Sequence, residues 1–329
     1  MFSVIIPLYN KAPYIEKAIR SVAAQTCQEF ELIVIDDGST DIAAPQPPKG
    51  GVIISYSDIE ALIGEKGFLL KQSNSGVSNT RNIGVKLAKY DHIAFLDADD
   101  WWEPTYLEEM KALITKYPEA GIYGSSYFKV KNGKHIPANI GVEADFEQGL
   151  INYFQVYAKT LWMPLWTGAT ILRKDVFNEN NGFKPDLKLG EDFDLWARVA
   201  IKYPVAFLNK PLAYYNQDVD QSSRGVVDEK IYNPSEFITF NLDFLAEVER
   251  IDSDVKALLD RLRVYSLLRY RIQGKYNDMV EKVIAGVDFN SVERKYYFYY
   301  HMPQFLLNLW FSFLKTGSRM KRLLSSVLD

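Results

Sequence analysis

The sequence predicts an α/β fold in which a mostly parallel sheet lies between helices, followed by a helical C-terminal region. Three observations predict it. Short β-branched runs alternate with segments of helical spacing, several of these runs end in polar loops, and the pattern becomes almost wholly helical from Asn233 onward. The change of pattern near residue 225 predicts two domains, residues 1–225 and residues 226–329.

The first elements predict a βαβ unit. Ser3–Leu8 has the apolar, β-branched character of a buried parallel strand, and Pro13 opens a helix of regular apolar spacing. Phe30–Ile35 is a second apolar strand that ends in Asp36 and Asp37. Strand, helix and strand in so short a segment indicate a parallel sheet.

The rest of the first domain continues this alternation, with an interruption at the proline-rich loop Pro45–Gly51. Ser73–Gly76 caps a helix that runs to about Lys89 and carries Arg81 in its first turns. Asn132-Gly133 predicts a hairpin turn. Further strands are predicted at Val52–Tyr56, Gly67–Gln72, Gly121–Val130, Ala169–Arg173, Ala206–Leu208 and Leu212–Tyr215. Further helices are predicted at Asp58–Ile63, Pro104–Tyr117, Lys174–Asn178 and from Glu191.

Composition narrows the class of protein. With 329 residues, 47% of them hydrophobic, and a net charge of −4, the chain is an ordinary globular protein without a global attraction to nucleic acid. Its one cysteine, Cys27, leaves no internal disulfide and fits a reducing compartment. The apolar run Phe2–Ile6 has no basic segment before it, and no apolar run reaches the roughly 20 residues that span a bilayer. We therefore expect a cytoplasmic protein.

An acidic segment follows the apolar run His92–Leu96. Asp97 and Asp99 stand two residues apart, so both can face one ligand or cation. An exposed acidic turn ahead of a helix would use the same residues. The strands that end at Leu8 and Ile35 reach the same edge of the sheet, and this convergence favours a ligand site.

A second acidic centre, Glu191-Asp192, opens a helix, where acids also serve simply to complement the helix dipole. Carboxylates without His or Cys suit Mg²⁺ or Mn²⁺, and Mg²⁺ is usually held by one or two carboxylates together with substrate phosphates. Because Arg81 lies at a helix N-terminus near the same edge, the pattern indicates a diphosphate bridged by a metal. The second acidic centre is then free to take a proton from a hydroxyl.

Several enzyme classes lack their sequence signals in this chain. There is no Gly-x-x-x-x-Gly-Lys-Ser/Thr loop, no Gly-x-Gly-x-x-Gly after the first strand and no Gly-x-Ser-x-Gly elbow. The three histidines, His92, His135 and His301, are too scattered to indicate zinc.

Taken in order, these motifs resemble the inverting family 2 glycosyltransferases, which have the Rossmann-like GT-A fold. The matching segments are Ser3–Asn10, Glu31–Asp41, Asn74–Gly76 with Arg81-Asn82, Phe95–Asp100 with its Asp-x-Asp motif, and Gly182-Phe183 with Gly190–Trp196. The resemblance covers roughly residues 1–225. It implies a metal-dependent hexosyltransferase that moves a sugar from a nucleoside-diphosphate donor, with a UDP-sugar favoured, to an acceptor hydroxyl. It also implies cell-surface polysaccharide synthesis and a glycan or lipid-linked acceptor.

The resemblance implies roles for individual residues on the donor side. Asp99 would bind Mg²⁺ or Mn²⁺, and Asp97 would lie near the donor ribose or sugar. The other donor-binding residues would be Pro7, Tyr9, Asp37 at the nucleobase, and Arg81 beside the nucleotide.

On the acceptor side, Asp192 would be the general base and Glu191 the second candidate. Trp166 and Trp196 would be platforms for acceptor sugars, although a role in the core explains them equally well. Where the family often has Tyr-Arg-x-His, this chain has Tyr215–Asp218, so Asp218 would replace the histidine as a metal ligand.

Two rival functions use similar residues. A sugar nucleotidyltransferase would need a glycine-rich basic loop after the first strand, and Tyr9–Ala12 is not such a loop. A non-catalytic nucleotide-sugar binding module should lack part of its acidic set, yet both acidic centres are present.

The C-terminal region ends in an aromatic and then basic segment, from Tyr296–Tyr300 through Phe305–Leu314 to Lys315–Arg322. Such a mix is typical of a helix that lies at a membrane surface. A helical subdomain that packs on the sheet, or a homodimer contact, would use the same residues. The sequence predicts peripheral contact with the cytoplasmic membrane as one hypothesis among these three.

Overall fold

The computed structural model describes residues 1–42, 54–220 and 230–325, with side chains described through residue 314. The chain forms two compact units, Met1–Val227 and Asp228–Asp329. The predicted domain boundary near residue 225 and the predicted loop Pro45–Gly51 lie outside the described residues. The predicted basic segment Lys315–Arg322 is described only as helical backbone.

The first unit is built on a sheet of ten strands in the described part of the chain. The strands are β1 (Phe2–Leu8), β2 (Phe30–Asp36), β3 (Gly67–Lys71), β4 (His92–Phe95), β5 (Trp101–Trp102), β6 (Ile122–Lys131), β7 (Lys134–Pro137), β8 (Gln148–Ile151), β9 (Thr170–Arg173) and β10 (Val205–Asn216). Their order in the sheet is β3-β2-β1-β4-β9-β6-β10-β5, with β7 beside β6 and β8 beside β10. Strands β1 to β4 are parallel, whereas β9 runs antiparallel between β4 and β6. The predicted mixed, mostly parallel α/β sheet is therefore confirmed.

Helices connect these strands and then make up the second unit. In the first unit they are α1 (Ala12–Ala23), α2 (Tyr56–Ile63), α3 (Val77–Leu87), α4 (Tyr106–Lys116), α5 (Tyr153–Thr160), α6 (Lys174–Glu179) and α7 (Glu191–Ala200). In the second they are α8 (Ala246–Ile251), α9 (Ser253–Gln273), α10 (Asn277–Ile284), α11 (Arg294–His301) and α12 (Gln304–Ser325). Among the described residues, no helix combines the length and apolar character needed to cross a bilayer.

The predicted βαβ unit forms for the expected reason. Every residue of β1 and β2 is buried, as in central parallel strands that are covered on both faces. Between them, α1 buries Ile15, Ile19 and Val22 along one face. The register pairs Leu8 with Asp36 and Ile5 with Phe95, so the loops after β1, β2 and β4 leave the sheet at one edge.

Two predicted elements differ from the structure. Tyr56, predicted as the end of a strand, begins α2, because Ser55 and Asp58 form a capping box in which each side chain accepts the other's backbone N–H. The two strands predicted at Ala206–Leu208 and Leu212–Tyr215 are a single strand, β10, whose register with β6 shifts on either side of Pro211. Proline has no N–H to donate to a neighbouring strand. Pro211 therefore interrupts the strand pattern in the sequence, although the strand itself continues through a bulge at this position.

Candidate active site

The loop after β2 is organised by Asp37. Its buried carboxylate accepts hydrogen bonds from the backbone N–H groups of Ser75, at 2.8 Å, and Gly76, at 2.9 Å. Gln72 donates a third bond at 2.8 Å. Gly76 has φ +88°, a conformation that favours glycine, and it is the residue immediately before α3. Asp37 thus fixes the start of α3, while its contact with a nucleobase stays a prediction.

The other predicted donor residues of the first strand lie at the same edge. Pro7 is buried within β1 beside Ile35 of β2, and Tyr9 follows the strand with about half of its surface exposed. Tyr9 is therefore accessible to a ligand, whereas Pro7 is buried within the sheet.

Arg81 joins the two acidic segments. It is buried in α3, and its Nη2 lies 2.7 Å from Asp97 Oδ1 while its Nη1 lies 3.2 Å from Glu191 Oε1. Burial lowers the pKa of Arg81, but the charges of Asp97 and Glu191 outweigh this effect, so the net pKa is raised. A permanently charged guanidinium therefore holds together carboxylates that stand far apart in the sequence.

The segment after β4 contains more negative charge than its partners offset. Asp99 is paired with Lys11, which follows β1, and both side chains are largely buried. The pKa of Asp99 is raised, mainly by burial, and Asp97 adds to this increase while Lys11 opposes it. Asp100 is fully buried and accepts the N–H of Asn216 at 2.7 Å, so it anchors the end of β10.

Lys11 is a functional candidate that sequence reasoning missed. The sequence showed only a loop after the first strand, and nothing local indicates the pairing with Asp99. The available signal was the position of Lys11. It follows directly after a strand that ends at the same edge of the sheet as the acidic loops.

The second acidic segment, at the start of α7, contains a carboxyl group suited to proton transfer. Asp192 is half-buried, and its Oδ1 accepts the N–H of Phe193 at 2.7 Å. Burial, and secondarily the charge of Glu191, raises the pKa of Asp192 to about 7. A carboxylate with a pKa near neutrality can accept a proton efficiently at physiological pH.

Helix α5 supplies tyrosines beside this carboxylate. Burial is the main cause that raises the pKa values of Tyr153 and Tyr157, and the charge of Asp192 adds to both, for Tyr153 after that of Tyr157. The Tyr153 hydroxyl is buried without a hydrogen-bond partner in the described part of the chain. These tyrosines could not be identified from the sequence, because the stretch from Val142 to Gly168 has weak periodicity.

Asp194, two residues after Asp192, has a different role. It has no exposed surface and is paired with Arg198 at 2.5 Å and with Lys184 at 2.7 Å. Arg198 also donates to the carbonyl of Gly182 at 2.8 Å. Asp194 therefore anchors the turn before α7.

The turn is also held from α3. Asn82 accepts the N–H of Phe183 at 3.0 Å and donates to the Phe183 carbonyl at 2.8 Å. Gly182 has φ +60°, and a Cβ there would lie 2.7 Å from Asn82 Oδ1. The Gly182-Phe183 motif thus sets the distance between α3 and α7, which carry Arg81 and Asp192.

Asp218 holds the turn between β6 and β7, and its role as a metal ligand stays a prediction. Its carboxylate oxygens accept the N–H groups of Asn132 at 2.6 Å and Gly133 at 2.8 Å. Asp218 therefore caps the hairpin between β6 and β7. The sequence predicts the Asn132-Gly133 turn, but it does not show that residue 218 contacts this turn.

Trp166 and Trp196 are predicted either as platforms for acceptor sugars or as core residues, and their burial fits the second role. Trp196 has no exposed surface, and its ring packs edge-on against Phe183. Trp166 is only 6% exposed and lies against Tyr127 and Tyr215. Both indoles belong to the core, because the helix and loop that carry them turn these side chains inward.

The segment after β4 has the donor chemistry of a Mg²⁺ or Mn²⁺ site. It offers hard carboxylate oxygens in excess of their cationic partners, and a cationic nitrogen of Lys11 already contacts Asp99. In the described ranges, no three His, Cys, Asp or Glu side chains are grouped so that they could hold an ion by themselves. The residues fit a cation whose remaining ligands come from substrate phosphates and water.

Comparison with known proteins places the chain in a family. The family model described as glycosyl transferase family 2 matches residues 3–180, which includes Asp37, Arg81, Asp97 and Asp99. The match ends before α7, so the interpretation of Glu191 and Asp192 depends on the geometry.

Relatives with the same description occur in several bacteria. An uncharacterized glycosyltransferase of Rickettsia conorii is 31% identical over 64% of this chain and 32% of its own length. Glycosyltransferase GlyA of Streptococcus pneumoniae is 27% identical over 65% of this chain and 30% of its own length. The chain thus spans about a third of these two relatives. An uncharacterized glycosyltransferase of Haemophilus influenzae is 25% identical over 82% of this chain and 90% of its own length.

Solved structures show the same fold. S. aureus TarS 1-349 in complex with UDP-GlcNAc aligns with a TM-score of 0.66 and 20% identity, covering 88% of this chain and 82% of TarS 1-349. The complex of the same fragment with UDP aligns with a TM-score of 0.60 and 20% identity, covering 87% and 83%. The GT-A fold predicted from the sequence is thereby confirmed. This chain belongs to glycosyl transferase family 2.

Proposed function

We propose that this chain is a metal-dependent, inverting glycosyltransferase that moves a sugar from a nucleoside-diphosphate donor to an acceptor hydroxyl. The observation that carries the proposal is the bridge that Arg81 makes between Asp97 and Glu191. It brings a segment suited to a cation and a diphosphate next to Asp192, a carboxylate suited to proton transfer.

The donor site of the proposal lies at the carboxyl ends of β1, β2 and β4. Tyr9 and Asp37 would contact the nucleobase, Arg81 would lie beside the nucleotide, and Asp97 would approach the donor ribose or sugar. S. aureus TarS 1-349 forms complexes with UDP-GlcNAc and with UDP, which supports a UDP-sugar as the first donor to test.

Asp99 would hold the divalent cation, with Asp97 beside it. When bound, Mg²⁺ or Mn²⁺ would offset the negative charge of the diphosphate that leaves the donor. Lys11 would then release Asp99 and lie within reach of the same phosphates, because its ammonium group already occupies this edge.

The chemistry of transfer would be carried by the start of α7. Asp192 takes the proton of the acceptor hydroxyl, the hydroxyl oxygen forms a bond to the anomeric carbon, and the bond between that carbon and the diphosphate breaks. Attack from the face opposite the diphosphate inverts the anomeric configuration. Glu191 is paired with Arg81, which leaves Asp192 as the base.

Cell-surface polysaccharide synthesis, with a glycan or lipid-linked acceptor, is the biological role that the family resemblance supports. We place the enzyme in the cytoplasm, where nucleotide sugars are made, and a homodimer is compatible with the proposal.

The test is the release of nucleoside diphosphate from a panel of nucleotide sugars, with and without Mn²⁺ and with and without a glycan acceptor. The proposal predicts release that requires the metal and increases with acceptor. Formation of a nucleotide sugar from a sugar phosphate and a nucleoside triphosphate would show a nucleotidyltransferase instead. Tight donor binding without any release, across the panel and with acceptor present, would show a binding module.

A further inference from the structure

Helix α12 carries a row of large apolar side chains that nothing in the described chain covers. Phe305, Leu309 and Phe313 recur every four residues, and each is more than 60% exposed. One position further on, a parallel row adds three more side chains that are 42–47% exposed, Leu306, Trp310 and Leu314. With 3.6 residues per turn, the two rows cover about half of the helix surface. We call these six residues the α12 apolar face.

The α12 apolar face is not the side by which the helix packs in its own unit. Leu307 is fully buried, and the Phe311 ring lies 5.2 Å from that of Tyr299 in α11. Helix α12 also contacts α9. The helix therefore has one apolar side that packs and a second one left over. Exposed Phe298 on α11 adds to the apolar surface of this region.

Contiguous exposed apolar surface of this size marks a partner or a membrane. The charges in the sequence around the α12 apolar face decide between a protein partner and a membrane. The helical backbone continues through Ser325, and the sequence after the apolar face contains Lys315, Arg319, Lys321 and Arg322. No acidic residue occurs between Gln304 and Leu328, although the whole chain has a net charge of −4.

Aromatic side chains followed by a cluster of cations are complementary to an anionic bilayer. Phenylalanine, leucine and tryptophan enter the boundary between headgroups and acyl chains, and lysine and arginine are attracted to anionic headgroups. A second copy of the chain that paired through this face would bring its own cationic segment close to this one, whereas an anionic bilayer brings opposite charge. The charge pattern therefore favours lipid.

We propose that α12 binds the surface of anionic lipid bilayers, with the α12 apolar face in the headgroup boundary and the cations of residues 315–322 at the headgroups. The binding is peripheral. It does not depend on the glycosyltransferase activity, so it can hold or fail independently of the proposed function.

The test is flotation of the full chain with vesicles of equimolar phosphatidylcholine and phosphatidylglycerol, compared with vesicles of phosphatidylcholine alone. We expect the protein to float with the anionic vesicles and to remain largely at the bottom with the neutral ones. A triple variant, Phe305→Ser, Leu309→Ser and Phe313→Ser, should lose flotation while its circular dichroism stays unchanged. Ile251→Ser is the matched control, because Ile251 is an exposed apolar residue of the same unit outside α12, and it should float normally.

A second variant tests the charge. Replacing Lys315, Arg319, Lys321 and Arg322 by Gln removes no apolar surface, and vesicle affinity should fall about fivefold for each cation lost. The proposal is overturned if the wild type does not float with anionic vesicles, or if the triple variant floats as well as Ile251→Ser. It is equally overturned if the wild type sediments as a dimer that the triple substitution dissociates and neither protein binds vesicles, since a second copy would then cover the face.

Discussion

The acidic segments after β4 and at the start of α7 share one arginine but differ in how their remaining charge is balanced. Each gives one carboxylate to Arg81, Asp97 from the first and Glu191 from the second. In the β4 segment, a second carboxylate, Asp99, is paired with a cation of its own, Lys11. In the α7 segment, the second carboxylate is Asp192, which accepts a backbone N–H, forms no ion pair with the described residues, and has a pKa raised to about 7.

The difference separates two chemical tasks. Negative charge that attracts a cation is suited to hold a metal and a diphosphate. A carboxylate that lacks a cation of its own, and is partly withdrawn from water, is suited to take a proton. Arg81 keeps the two sites adjacent without giving Asp192 the full ion pair that would abolish its basicity.

The most severe test of this division removes the base. Asp192→Asn keeps the shape of the side chain but cannot accept a proton, so turnover should fall about a thousandfold while the donor dissociation constant stays unchanged. Steady-state release of nucleoside diphosphate and calorimetric titration of donor measure the two quantities. The control is Asp186→Asn, an exposed acid six residues earlier, which should behave as wild type. Turnover of Asp192→Asn near the wild-type rate would remove the α7 segment from the chemistry.

The second test asks whether Asp194 stabilises the fold, as its buried ion pairs indicate, and has no part in donor binding. Asp194→Asn removes the charge that pairs with the largely buried Arg198, at a cost of about 3–5 kcal/mol. The melting temperature should fall by on the order of 10 °C. At temperatures where the variant is folded, donor affinity should remain within a few-fold of the wild type. A stable variant that fails to bind donor would show that Asp194 belongs to the site.

The third test addresses the β4 segment. Asp99→Asn should weaken Mn²⁺-dependent donor binding by at least about tenfold, because one carboxylate of the cation site is lost. Asp192→Asn should keep the full metal dependence, which makes it the matched comparison. Donor titrations of Asp99→Asn that equal those of wild type, with and without Mn²⁺, would contradict a metal role for Asp99.

The smallest expected effect is a gain of stability. The unfolded-state pKa of an aspartate is about 3.9 and the native pKa of Asp192 is about 7, so the native state disfavours the charged form. This cost is absent below the unfolded value, grows as pH rises, and is complete above the native value. Asp192→Asn should therefore melt a few degrees higher than wild type at alkaline pH and equally near pH 4. If Asp192→Asn is less stable than wild type at alkaline pH, the native state stabilises the charged carboxylate of Asp192, and the expected cost of burying that charge is absent.

Much of the fold could be predicted because its signals are local. The buried runs of β1 and β2 and the spacing of α1 need no distant partner to be recognised. The three strand ends at one edge follow from parallel connections. The sequence therefore located the loop of Asp37 and the segment of Asp97 and Asp99 without the structure.

The balance of charge within the site could not be predicted, because it depends on pairs that are distant in the sequence. Arg81 and Glu191 are 110 positions apart, and Lys11 and Asp99 are 88 apart. Asp192 and Asp194 look equivalent in sequence and differ only because Arg198 and Lys184 reach one of them. The hydrogen bonds of Asp218 to the hairpin turn at Asn132 could not be predicted for the same reason, because they join residues 86 positions apart.

The measurement that tests the central claim most directly is the pH dependence of kcat/KM for sugar transfer, which reports the pKa of the base in the free enzyme. With Asp192 as the base, the rate should fall about tenfold for each pH unit below about 7, and this limb should disappear from the residual activity of Asp192→Asn. A profile that stays flat through neutrality, or a limb that persists unchanged in Asp192→Asn, would contradict the assignment of proton transfer to the start of α7.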